Sequence, residues 1–139
     1  RVKRAIEDAE RRTSGEIRVS ISPLFWGSVE RAAERAFVRL GMTKEVARNG
    51  VLFFIVPSRR AFVVRGDTGI HERVAPAFWE TLVSLMTPYF ERRDFTGGVL
   101  AGIEEAAEEL AHHFPYDPTA DVDELPDAVD LGIRRRSEP

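Results

Sequence analysis

Apolar residues recur at two different periods along this chain, and the switches between them mark its elements. From Val2 to Arg12, the residues Val2, Ala5, Ile6 and Ala9 fall at helical spacing among charges, which predicts an amphipathic helix stopped by Ser14 and Gly15. Glu16 to Ser22 alternates, with Ile17, Val19 and Ile21 on one side and Glu16, Arg18, Ser20 and Ser22 on the other, the pattern of a half-buried strand. Pro23 to Gly27 reads as a loop presenting Phe25 and Trp26. Ser28 is suited to cap a helix whose stripe is Ala32, Ala33, Ala36, Phe37 and Leu40, ending at Gly41. A polar loop follows over 42–50.

Val51 to Val56 is apolar without interruption, so both faces of this strand should be buried. Pro57 to Arg60 is a short turn, too short for a crossover, so Ala61 to Val64 should pair antiparallel with the strand before it. Gly66 to Gly69 is a turn cluster. Pro76 opens a long helix with Phe78, Leu82, Leu85, Met86, Tyr89 and Phe90 on its apolar face. Phe78 and Trp79 are adjacent, so one should lie in the core and the other at its margin. Asp94 caps a last helix with Val99, Leu100, Ile103, Ala107, Leu110 and Phe114 inward. After Pro115 the chain is acidic and proline-containing, and residues 116–139 are expected to be an extended or disordered tail. The domain proper is then 1–115.

The order α-β-α-β-β-α-α contains one parallel βαβ unit and one hairpin. With helices over both faces of the all-apolar strand, the expected class is α/β, a three-layer α/β/α sandwich around a small mixed sheet.

Composition narrows the function classes. Net charge is −3 with charges of both signs, which argues against a nucleic-acid surface. There is no cysteine, so disulfides and thiolate chemistry are excluded. No apolar run approaches the ~20 residues of a membrane helix, so no direct membrane insertion is expected. The expected location is the cytoplasm; because Arg1 is not a natural start, an upstream segment could instead direct the chain to the periplasm or to a membrane. Phosphate-loop, zinc-protease and hydrolase-elbow motifs are absent.

Topology nevertheless gathers polar residues. Glu16 and Asn49–Gly50 begin the two parallel strands at one sheet edge, and Asp67 leaves the antiparallel strand there. The expected ligand-binding edge is Asn49, Gly50, Gly66, Asp67, Thr68, Gly69 and His71. Asp67, Glu16 and Asn49 offer oxygens suited to weak Ca²⁺ or Mg²⁺ binding. The same residues read equally well as ordinary turn chemistry, with Asn49 and Asp67 bonding their own backbone and Glu16 exposed on a strand. His71 is either a general acid or ligand, or a surface histidine. His112 and His113 suit the negative end of the last helix.

Four stretches resemble the TPM domain family: Glu7 to Ile21 (EDAERRTSGEIRVSI), Asn49 to Pro57 (NGVLFFIVP), Gly66 to Ile70 (GDTGI), and Pro88 to Gly98 (PYFERRDFTGG) before an alanine-rich helix. Together they span roughly residues 3–114, and the ending is similar to that of the small bacterial subgroup without a membrane anchor. Many members carry G-x-G-L-E after the third strand; here His71 stands at the glutamate and the acidic residue is Asp67.

The resemblance implies an α/β/α sandwich and roles in envelope or photosynthetic-membrane maintenance. It also implies divalent-cation binding in some members and weak acid phosphatase activity in plant members. The leading expectation is a binding module working through protein partners, some membrane-associated, with a weak Ca²⁺ or Mg²⁺ site. The alternatives are a metal-assisted phosphatase of low activity and a purely structural interaction domain.

Overall fold

Short-range signals set the element ends. In the computed structural model, which describes residues 1–44, 48–116 and 129–130, α1 spans Val2–Glu10 and β1 spans Glu16–Ile21. Ser28 caps α2, Val29–Arg39, by accepting the Arg31 amide at 3.1 Å. A 3₁₀ turn at Met42–Lys44 precedes β2, Gly50–Val56. A second 3₁₀ turn at Pro57–Arg59 leads to β3, Ala61–Gly66, two residues longer than its apolar run. A single-turn helix α3, Thr68–His71, follows, then α4, Pro76–Glu91, and α5, Phe95–His113. Asp94 caps α5 by accepting the Gly97 amide at 3.0 Å.

The sheet order is β1-β2-β3, with β1 parallel to β2 and β3 antiparallel to it. Period-two alternation along β2 sends its side chains to two separate cores. Val51, Phe53 and Ile55 pack with α1, α4 and α5, where Ile6, Leu82, Met86, Phe90 and Ile103 are buried. Leu52, Phe54 and Val56 pack under α2 with Ala33, Ala36 and Phe37. The chain is thus an α/β/α sandwich with α1, α4, α5 and the single-turn α3 on one face and α2 on the other. Each fully buried large apolar side chain contributes roughly 1.5–3 kcal/mol of transfer free energy.

Three expectations change. β1 is buried on both sides, not one: Glu16, Arg18 and Ser20 are buried along with Ile17 and Val19. The crossover helix α2 returns over that face of the sheet, so the polar side of the strand is covered too. Phe78 and Trp79 both lie partly buried against the larger core. Leu85 is exposed while its neighbours Leu82 and Met86 are buried.

Most of the tail, residues 117–128 and 131–139, lies outside the described residues. Val129 packs against the larger core, and Asp130 forms a parallel bridge with Ser20 on the outer edge of β1.

Candidate functional site

Strand order brings the predicted residues to one edge of the sheet. Glu16 is paired with Gly50, Gly66 with Val51, and the Asp67 amide donates to the Gly50 carbonyl at 3.0 Å. Glu16 and Asp67 therefore flank Gly50 from opposite sides, about two strand spacings or ~10 Å apart in backbone position. Asn49 lies between them, its carbonyl accepting from the Glu16 amide and its side-chain amide donating to the Ser14 carbonyl at 3.4 Å. All three residues are buried.

Asp67 defines the chemistry of this edge. The turn cluster of the sequence is the start of α3, and Asp67 is its cap, accepting the Thr68 amide at 2.7 Å. Arg48 holds both carboxylate oxygens, Nε to Oδ2 at 2.5 Å and Nη2 to Oδ1 at 2.7 Å. A planar guanidinium matches a carboxylate in this two-point geometry, and the pair is the strong form of charge-assisted bond. Asp67 is fully buried while the Arg48 side chain is 39% exposed, so the arginine brings compensating charge to a desolvated carboxylate. Arg48 adopts a left-handed backbone, φ 53°, and its carbonyl accepts the Gly69 amide at 2.8 Å, so both ends of the residue tie it to the α3 turn.

The remaining predicted residues are structural neighbours of this pair. Gly66 lies under Trp79: a Cβ there would come within 2.5 Å of the indole, which explains why only glycine fits. His71 stacks on Trp79 with ring centroids 5.2 Å apart, and its Nε2 is 3.1 Å from the Gly66 carbonyl. A carbonyl only accepts, so this contact is a hydrogen bond in the tautomer with its proton on Nε2, which leaves Nδ1 as an acceptor. Thr68 is exposed and contributes its amide to the cap.

Next along the β3 edge, Arg65 grips Glu34 of α2 at 2.6 and 3.2 Å and lies over the Phe37 ring. The hydrogen bond from Arg65 holds the Glu34 carboxyl below its ordinary range.

A divalent cation fits this donor set poorly, because a guanidinium already occupies the position facing both Asp67 oxygens. Among the described residues, no cluster of three His, Asp or Glu side chains could hold a metal ion. His112 and His113 close α5, with His113 Nε2 3.2 Å from Glu109 and the His113 carbonyl accepting from Arg73, just after α3, at 3.2 Å. The sequence reading missed Arg48 because it lies in a polar loop. Its signal was topological: β3 ends beside the start of β2, so the loop just before Gly50 meets the residue just after Gly66.

A second feature lies at the loop that presents Phe25 and Trp26. A cavity of about 250 Å³ opens between α2 and the loop after β1, lined by Ser20, Phe25, Trp26, Arg35 and Arg39 among others. Trp26 at its mouth is 87% exposed. No described helix is long and apolar enough to cross a membrane.

The comparisons with known proteins agree with this architecture. No curated protein matches the sequence. The solution structure of BA42 protein from the psychrophilic bacterium Bizionia argentinensis is similar over 94% of this chain and 90% of that one, at 37% identity and a TM-score of 0.86. The N-terminal domain of the cg2496 protein from Corynebacterium glutamicum shares the fold at 19% identity, with a TM-score of 0.61 over 78% of this chain and 68% of that one. The TPM domain model matches residues 1–109, and this chain belongs to the TPM domain family.

Proposed function

We propose that this domain is a binding module that works through protein partners, some of them membrane-associated in the cell envelope, and that it is not a hydrolase. The observation that carries the non-hydrolytic part of this reading is the Arg48–Asp67 pair. Asp67, the more deeply buried of the two carboxylates at the candidate edge, is held by an arginine and by its role as a helix cap, and Nε2 of the neighbouring histidine lies against a backbone carbonyl. A metal-assisted phosphatase needs converging carboxylates with free lone pairs to hold metal and activate water. Here the same groups fix the α3 turn to the start of β2. Divalent-cation binding at this edge is weak on this reading, since Ca²⁺ or Mg²⁺ must displace a guanidinium from Asp67.

Hydrolysis of a generic aryl phosphate ester, with and without millimolar Mg²⁺ or Ca²⁺, tests the proposal. The expected rate is that of buffer plus metal, unchanged by Asp67→Asn. Turnover that requires the metal and disappears in Asp67→Asn would make the phosphatase reading correct instead.

A further inference from the structure

β1 is an edge strand, and its outer side is not left open. Asp130 donates its amide to the Val19 carbonyl at 2.9 Å, and its carbonyl accepts the Ile21 amide at 2.7 Å, the two bonds of a parallel ladder step. The carboxylate of the same residue enters a prepared socket. Ser20 Oγ donates to Oδ2 at 2.8 Å, and the Arg39 guanidinium lies 2.9 and 3.3 Å from the two oxygens. Backbone pairing is indifferent to sequence, whereas the serine–arginine socket selects an acidic side chain at one register. The cavity of about 250 Å³ beside Ser20 and Arg39 adds room for one apolar or aromatic side chain, under a Trp26 that is almost wholly exposed.

We propose that the outer edge of β1 is a strand-docking site for an extended acidic peptide, and that the chain's own Val129–Asp130 is its displaceable resident. The partner is a protein segment in extended conformation whose aspartate takes the Ser20–Arg39 socket, with an apolar residue two positions along, on the same face, available for the cavity. Charge complementarity and the resident segment's own chemistry name this occupant. Tethering gives the resident a high effective concentration, so the intact chain resists free peptide until the tail is released. The inference rests on reading the domain as a protein-binding module and specifies where binding occurs.

The test uses the full chain with Asp130→Pro, which removes both the amide donor and the carboxylate. The probe is a labelled peptide with the sequence of residues 126–133, PDAVDLGI. Expected are faster exchange of the Ile21 amide in the variant and peptide binding at least about tenfold tighter than to the unaltered chain. A peptide with Asn in place of its second Asp should bind about tenfold more weakly, the size of one lost charge-assisted bond. Arg39→Ala, an exposed substitution that leaves the fold intact, should erase that preference. The proposal is overturned if Ile21 exchange is unchanged by Asp130→Pro, if Asp and Asn peptides bind alike, or if the variant self-associates in place of binding peptide. Hydrolysis of phosphate esters is read separately, so a failed docking site and a failed non-enzymatic reading give different results.

Discussion

The Asp67 carboxylate is held on both oxygens by the Arg48 guanidinium at the sheet edge it shares with Glu16 and Asn49. Strand order alone puts it with Glu16 and Asn49 at one edge of the sheet, and that is where it lies. Its partner Arg48 lies in a polar loop, where only strand order points to it, and it has a left-handed backbone, φ 53°. The energetics of the pair are asymmetric. Arg48→Ala strands a fully buried carboxylate and should cost roughly 3–5 kcal/mol of unfolding free energy. Asp67→Asn keeps the shape and the cap, leaving a half-exposed arginine, and should cost only about 1–3 kcal/mol. The double variant should lose less than the sum, since the residues share one interaction. Denaturant midpoints of the three variants measure this. A nearly neutral Arg48→Ala would mean that the ion pair does not hold the edge.

At the scale of elements, the reading from pattern was strongest where burial is symmetrical. Six consecutive apolar residues in β2 predict a strand covered on both faces, and its alternate residues enter two separate cores. Phe54 under α2 and Ile55 under α4 and α5 should therefore each cost about 2–5 kcal/mol on truncation to Ala. A neutral result at either position would leave one layer of the sandwich without an energetic role.

The alternation of β1 misled, because polar residues on a covered face look identical in sequence to polar residues facing water. Small residues carry a third kind of information. Gly102 in α5 sits against Met86 of α4 and Phe53 of β2, where a Cβ would come within 2.6 and 2.8 Å. Gly102→Ala gains about 1 kcal/mol of helix propensity and incurs about 1–3 kcal/mol of overpacking. A net loss of thermal midpoint is expected, and a gain would show that the α4–α5 contact yields easily.

Across the whole molecule, fold class and strand order were legible because each element carries its own period, caps and turn residues, all agreeing with one topology. The tail was less so. Its acidic composition predicts little ordering, yet Val129 and Asp130 reach back to β1 through a backbone step and a carboxylate socket. Hydrophobic patterning does not register contacts of that kind, which rest on hydrogen bonds at a strand edge.

The candidate site divides in the same way. Its location follows from chain topology, while its chemistry depends on which groups have already been taken by Arg48, Thr68 and the Gly66 carbonyl. The proposed function requires internal pairing to close this edge to cations. Titration of labelled protein with CaCl₂, followed by amide chemical shifts, tests it most directly. No saturation of residues 48–50 and 66–71 is expected below about 10⁻³ M, the weak end of calcium modules, with a lower midpoint in Arg48→Ala, where the competing guanidinium is gone. Saturable shifts centred on those residues in the unaltered protein at or below about 10⁻⁴ M, abolished by Asp67→Asn, would contradict it.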